Sequence, residues 1–205
     1  TLRCCGRHPQ CLDIRQTKRT SGHVKLAVLI VTFARDKNQY DTIKRSQHNT
    51  EDLNMSELRY EAPKTLAAAV TLLKSAKGLG KVLAGGSDLL VQMKSGRIEP
   101  ALIVDVKNIP GMTGIAAEKG GFRLGAAAPC MAVVEHKSFA KAWLGVTEAV
   151  ALIGSIQVKG RASVGGNLCN GSPAADSVPA LIAAGAVARI VGPKGKRSLP
   201  VEKFN

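Results

Sequence analysis

Residues 81–90 read Lys81-Val82-Leu83-Ala84-Gly85-Gly86-Ser87-Asp88-Leu89-Leu90. Residues 157–176 read Gln157-Val158-Lys159-Gly160-Arg161-Ala162-Ser163-Val164-Gly165-Gly166-Asn167-Leu168-Cys169-Asn170-Gly171-Ser172-Pro173-Ala174-Ala175-Asp176. Each stretch sets adjacent glycines beside a side chain that can donate a hydrogen bond, Ser87 in the first and Ser163 and Asn167 in the second. Glycine has no Cβ, so the backbone can come close to a ligand and successive N–H groups can converge on an anion. Lys81 to Ala84 reads as a short buried strand and Asp88 to Lys94 as a helix. Gly85-Gly86 therefore lies between a strand and a helix, where the helix dipole favours a phosphate. Gly165-Gly166-Asn167 reads as a second tight loop. Two such loops suit the two phosphates of a dinucleotide, and for either pair alone ordinary turn glycine is the alternative.

The common dinucleotide and nucleotide patterns are absent. G-x-G-x-x-G fails because Gly78 and Gly80 precede the strand and Leu83 holds the third position. No G-x-x-x-x-G-K-[ST] occurs. A dinucleotide site in this chain is of another design.

Outward from the first motif, Pro63 and Thr65 open a helix with Leu66, Val70 and Leu73 on one face, and Gly78 and Gly80 end it. Ala101 to Val106 reads as a strand closed by Asn108-Ile109-Pro110-Gly111. Gly114 to Ala117 and Phe122 to Ala126 pair around Glu118-Lys119-Gly120-Gly121. Single helices are expected over Ala140 to Ile153 and over residues 177–185. Val187 to Val191 and Arg197 to Val201 form a hairpin around Pro193-Lys194-Gly195. Crossover and hairpin connections both occur, which indicates α+β or mixed α/β.

The 205 residues are 45% apolar and 3% aromatic, so the core is built from Ala, Val, Leu and Ile. The net charge of +14 comes from 29 basic and 15 acidic residues and suits an anionic partner. The charge is thinly spread, with no arginine-rich run and no aromatic row for base stacking, so nucleic-acid binding is not expected. Leu26 to Ala34, the longest apolar run, is interrupted by Thr32 and falls far short of the ~20 residues of a membrane span. Five cysteines are an odd number and do not form a disulfide scaffold; a reducing, cytoplasmic compartment fits. Cys4, Cys5, His8 and Cys11 could in principle ligate zinc, but adjacent cysteines lack the usual spacing.

The chain changes character near Met55. Residues 1–54 carry no sustained period and read as a disordered leader that the fold can do without. Within them only Val24 to Ala34 could form a strand or short helix, docking at most on an exposed sheet edge or a vacant surface. No small-residue cleavage pattern follows that segment.

From about Leu58 to Phe204 the sequence resembles the FAD-binding subunit of the molybdenum hydroxylases, the group of xanthine dehydrogenase, aldehyde oxidase and aerobic carbon monoxide dehydrogenase. The two glycine motifs carry the resemblance, with Leu102-Ile103-Val104-Asp105-Val106 and Leu124-Gly125-Ala126-Ala127. The resemblance implies an α+β fold of the vanillyl-alcohol oxidase and p-cresol methylhydroxylase type. Two α/β subdomains, about 55–108 and 109–205, would clamp an extended FAD. It places Lys81, Val82, Leu83, Ala84, Gly85, Gly86, Ser87, Asp88 and Leu89 around the pyrophosphate. It places Ser163, Val164, Gly165, Gly166 and Asn167 on FAD as a second loop, with Asp176 as a further contact. Gly154 joins this set by its spacing from Ser163. Asp176 could alternatively be a helix cap, and Lys81 a solvated strand end. Cys169 reads as a small buried residue, and His136 receives no catalytic role.

The resemblance also implies partners. Substrate would be oxidised at a molybdopterin centre on a large subunit. Electrons would cross iron–sulfur clusters on a small subunit and leave through the flavin to an external acceptor. No catalytic acid, base or nucleophile is expected here, and no cysteine set for a cluster. The family pattern continues past the position of Phe204 into a further α/β domain. A truncated flavin-domain remnant or assembly module is therefore the alternative reading.

Overall fold

The computed structural model describes residues 25–31 and 58–204. β1 (Lys25–Val31) comes first, followed by β2 (Arg59–Glu61), α1 (Leu66–Ser75), β3 (Gly80–Leu83), α2 (Leu89–Lys94) and β4 (Leu102–Asp105). β2, β4 and β3 form a parallel sheet in that order. All four residues of β4 are buried, as an apolar run at the centre of a parallel sheet requires. α1 begins where Pro63 and Thr65 predict: the Thr65 side chain accepts from the Ala68 amide and satisfies an N-terminal donor. Ala69 and Leu73 on its inner face pack with Leu102, Val104 and Val106. It ends at Lys77 and Gly78, both with positive φ.

A second sheet begins with the hairpin of β5 (Ile115–Glu118) and β6 (Gly121–Gly125). Gly120 turns it with φ +80, as the Lys119-Gly120 pair predicts. Six short helices follow: α3 (Cys130–Glu135), α4 (Lys137–Ala142), α5 (Leu144–Ala151), α6 (Ile156–Lys159), α7 (Val164–Asn170) and α8 (Ser177–Ala183). The hairpin of β7 (Val187–Gly192) and β8 (Gly195–Pro200) closes the described chain, with a short 3-10 turn at Val201–Lys203. The sheet order is β5-β6-β1-β7-β8. Leu124, Phe139, Val150, Leu168, Leu181, Ala188 and Ile190 share one core between this sheet and the helices. Met112, Ala126 and Ala127 instead join the core of the first sheet, so the two cores meet just after β6.

Two expectations are corrected. The single helix expected over Ala140 to Ile153 is two helices broken at Trp143, whose φ of −133° and ψ of 55° leave the helical region. The Trp143 carbonyl restarts the ladder by accepting from the Thr147 amide, and the Thr147 hydroxyl also donates to it. The second concerns the one stretch of the leader given a possible strand, expected to dock at most on a sheet edge or a vacant surface. Lys25–Val31 is a strand inside the sheet, parallel to β6 on one side and β7 on the other. Its partners lie about a hundred or more residues away, so nothing local in the sequence places it inside the sheet. The remainder of residues 1–57 lies outside the described residues, including Cys4, Cys5, His8 and Cys11.

Candidate functional site

Ligands of open α/β sheets collect at the carboxyl ends of parallel strands. In the first sheet those ends are Leu83 on β3 and Asp105 on β4. Ala84 to Asp88 leave β3 as a loop, turned by Gly86 at φ +81. Helical bonding resumes when the Leu90 amide donates to the Gly86 carbonyl. Among the described residues, no oxygen accepts from the amides of Gly85, Gly86, Ser87 or Asp88. Four successive donors are thus left for a ligand or solvent, and backbone donors rarely stay unpaired.

Gly85 joins this loop to the second motif. A Cβ built on it would overlap the backbone carbonyl of Arg161. Only a glycine lets the two segments touch there. Gln92 on α2 reinforces the junction, its Nε2 donating to Asn170 Oδ1 on α7 at 3.0 Å.

The second motif differs from its expectation. Gly165 and Gly166 are not a loop; they lie in the first turn of α7. Ser163 caps that helix, its Oγ accepting from the Gly166 amide at 3.1 Å, which offsets the poor helix propensity of two glycines. A Cβ on Gly165 would overlap the Ala126 backbone, so this glycine is there for close packing of α7 on the turn just after β6. Gly166 has more room: its nearest neighbour would be Ser163 Oγ at 3.0 Å. Ser163, Val164 and Gly165 are buried. Asn167 Oδ1 accepts from Ser177 Oγ at 2.6 Å, which leaves its amide donors without a partner among the described residues.

The other expected residues spread around this junction. Lys81, Val82 and Leu83 are half-buried along β3, and Leu89 opens α2. Gly154 has φ +54, and its carbonyl accepts from Lys159 Nζ at 3.0 Å, so its glycine has a local structural reason. Asp176 makes no side-chain capping bond and is exposed, which removes the cap alternative. Cys169 is exposed on α7, contrary to the buried place expected. Cys130 is the buried thiol, and burial pushes its pKa up to about 11. His136 caps α4, its Nδ1 accepting from the Phe139 amide. Among the described residues, no cluster of His, Cys, Asp or Glu is placed to hold a metal. Nor is any helix among them long and apolar enough to cross a membrane.

One contributor escaped the sequence reading. Lys107 Nζ donates to the Ala84 carbonyl at 3.0 Å and to Asp105 Oδ2 at 2.8 Å. Tyr60 Oη donates to the same carboxylate at 2.6 Å. This chain of bonds fixes the start of the glycine loop from the end of β4. Burial raises the Asp105 pKa, but hydrogen bonds from Lys107 and Tyr60 outweigh it and hold the carboxyl below its ordinary value. Its bond to Asp105 raises the Tyr60 pKa in turn. The Asp105-x-Lys107 spacing after a buried strand was the available signal.

The depressed Asp105 pKa has a stability consequence. Its contribution is present above the unfolded pKa of about 4 and is lost as pH falls through the folded value. Asp105→Asn should therefore melt lower than wild type at pH 7, with the gap closing as pH falls below about 4. Thermal unfolding across that range checks it; a gap that is constant with pH would refute the linkage.

Residues 54–205 match the family model described as the FAD binding domain in molybdopterin dehydrogenase. The chain is 33% identical over 147 residues to the xanthine dehydrogenase FAD-binding subunit of Escherichia coli O157:H7, covering 71% of this chain and 50% of that one. It is 32% identical over 145 residues to the carbon monoxide dehydrogenase medium chain of Hydrogenophaga pseudoflava, with the same shares of 71% and 50%. A solved structure of carbon monoxide dehydrogenase from that organism, lacking the Mo-pyranopterin moiety, superposes with a TM-score of 0.67 at 33% identity, covering 71% of this chain and 50% of that chain. The chain spans about half the length of the curated relatives it matches. With a matched segment that takes in both glycine motifs and both sheets bar β1, the chain belongs to the family of FAD-binding domains of molybdopterin dehydrogenases.

Proposed function

We propose that this chain binds FAD non-covalently and serves within an oxidoreductase as the flavin-carrying part. It would receive electrons from iron–sulfur clusters on a small subunit and pass them to an external acceptor. Substrate oxidation would occur on a molybdopterin-binding large subunit. The carrying observation is the contact of Gly85 with the Arg161 carbonyl, which brings the four amides of residues 85–88, without an acceptor among the described residues, against the second glycine motif. That donor row suits a pyrophosphate, and the donors and acceptors around it suit the rest of a dinucleotide.

The residues present fit the cofactor. Lys81 to Leu89 would follow the pyrophosphate with main-chain donors and the Ser87 hydroxyl. Ser163 already caps α7, so it would act by holding the start of that helix in place. The Asn167 amide can donate to FAD, and the exposed Asp176 carboxylate can accept from ribose hydroxyls or a flavin N–H. Val164, Gly165 and Gly154 would contribute shape only. Lys107 would hold the Ala84 carbonyl aside from the ligand. FAD, when bound, supplies the redox chemistry. The fold would be the p-cresol methylhydroxylase type with subdomains near 55–108 and 109–205, a reading that the two sheets and two cores support.

Reconstitution tests the proposal. Purified chain mixed with FAD and passed over a desalting column should keep stoichiometric flavin, released in full by acid precipitation. Chain that folds and elutes colourless would overturn the reading, and flavin that stays with the precipitate would overturn the non-covalent part.

A further inference from the structure

β6 and β7 both lie within the residues that match the family, yet they do not pair with each other. A strand's width separates them: two ladder spacings, or ~10 Å. The strand that fills the gap, β1, precedes residue 54, where the family match begins. Its register is Lys25↔Gly121 to Leu29↔Gly125 on one side and Ala27↔Val187 to Val31↔Val191 on the other.

Contacts that do not involve β1 frame the gap. Leu124 of β6 and Ala188 and Ile190 of β7 share the core with Phe139 and Leu181, which holds the two hairpins at one depth. Across the sheet, Glu118 of β5 accepts from Arg123 at 2.8 Å and from Arg189 of β7 at 3.1 Å, so one carboxylate ties the two hairpins together. With β1 in place Leu124, Gly125, Ala188 and Ile190 are buried. Were β1 to leave, the main-chain donors and acceptors of β6 and β7 that pair with it would be unpaired edges, and such edges call for a partner strand.

We propose that the gap between β6 and β7 is a strand-binding site. It takes an extended apolar segment parallel to both neighbours through main-chain hydrogen bonds, the mode of β-strand addition. Its occupant in this chain is Lys25–Val31, docking in cis from outside the family-matched region. Residues 32–58 join it to β2 along the sequence. The inference is independent of flavin binding, and its test reads backbone protection alone.

Hydrogen exchange with mass spectrometry on the full chain decides it. The amides of residues 25–31 should exchange at least ~100-fold slower than unstructured chain. Exchange there at the unprotected rate overturns the proposal whatever any variant does. In full-chain Leu29→Pro, the lost N–H should deprotect residues 121–125 and 187–191 while β2, β4 and β3 stay protected. A synthetic peptide of residues 23–33 in excess should then restore protection to both strands. Unchanged protection of β6 and β7 in Leu29→Pro, or no restoration by peptide while the first sheet remains protected, would overturn the site. A dimeric mass in sedimentation, with residues 25–31 protected, would overturn docking in cis in favour of exchange between copies.

Discussion

Gly85→Ala should yield a protein that no longer keeps FAD through a desalting column. The added Cβ falls on the Arg161 carbonyl, which is backbone and has no rotamer to yield. The two motifs must separate, at a cost of about 1–3 kcal/mol typical of overpacking. If that cost falls on the bound geometry, affinity drops roughly 5–150-fold. Two neighbouring glycines make good comparisons. Gly86→Ala meets only the flexible ends of Leu83 and Leu90 but is strained by its φ of +81, and Gly166→Ala meets the Ser163 hydroxyl at 3.0 Å. Both should weaken binding less than Gly85→Ala. A fluorescence titration of FAD with the three variants checks the ranking. Wild-type affinity in Gly85→Ala would remove the junction from the binding site.

Phe139→Ala should cause the largest loss of stability. The side chain is fully buried in the core beneath the second sheet. Its ring meets Phe122 of β6 edge-on, with centroids 5.4 Å apart. That contact ties α4 to the sheet, and the Phe139 amide is the donor that His136 caps. Truncating a buried phenylalanine costs about 3–5 kcal/mol, because a cavity remains where the ring stood. For a domain of this size the melting temperature should fall by roughly 6–20 °C. A thermal scan of the apo chain measures it; a fall under about 2 °C would mean the core closes around the gap.

Local chemistry was legible in the sequence where neighbours along the chain decide the structure. The strand, glycine turn and helix over residues 80–94, the Thr65 cap and both hairpins rest on contacts a few residues apart. The family resemblance was legible because two long motifs carry it. What escaped depends on distant partners. Lys107 finds the Ala84 carbonyl 23 residues away. Gly165 is glycine because Ala126 packs against it, which no turn rule shows. Two glycines in succession read as a loop, but the Ser163 cap and the tight fit on Ala126 hold them in a helix. Cys169 was judged by residue type, whereas the helical turn it occupies faces outward.

The place of β1 also sets a problem of timing. It is the earliest described strand to leave a ribosome, and both of its partners are made long afterwards. Leu29 must wait for Gly125, and Val31 for Val191. At ~5–20 residues per second, the interval from Val31 to Val191 is roughly 8–32 s. Until β6 is made, an apolar segment with strand-forming side chains has no template to pair with, and until β7 is made one of its edges stays open. Such a segment is a target for chaperones and for its counterparts on neighbouring nascent chains. Yield from cells should thus be governed less by the stability of the finished molecule than by how this one early segment is shielded during synthesis.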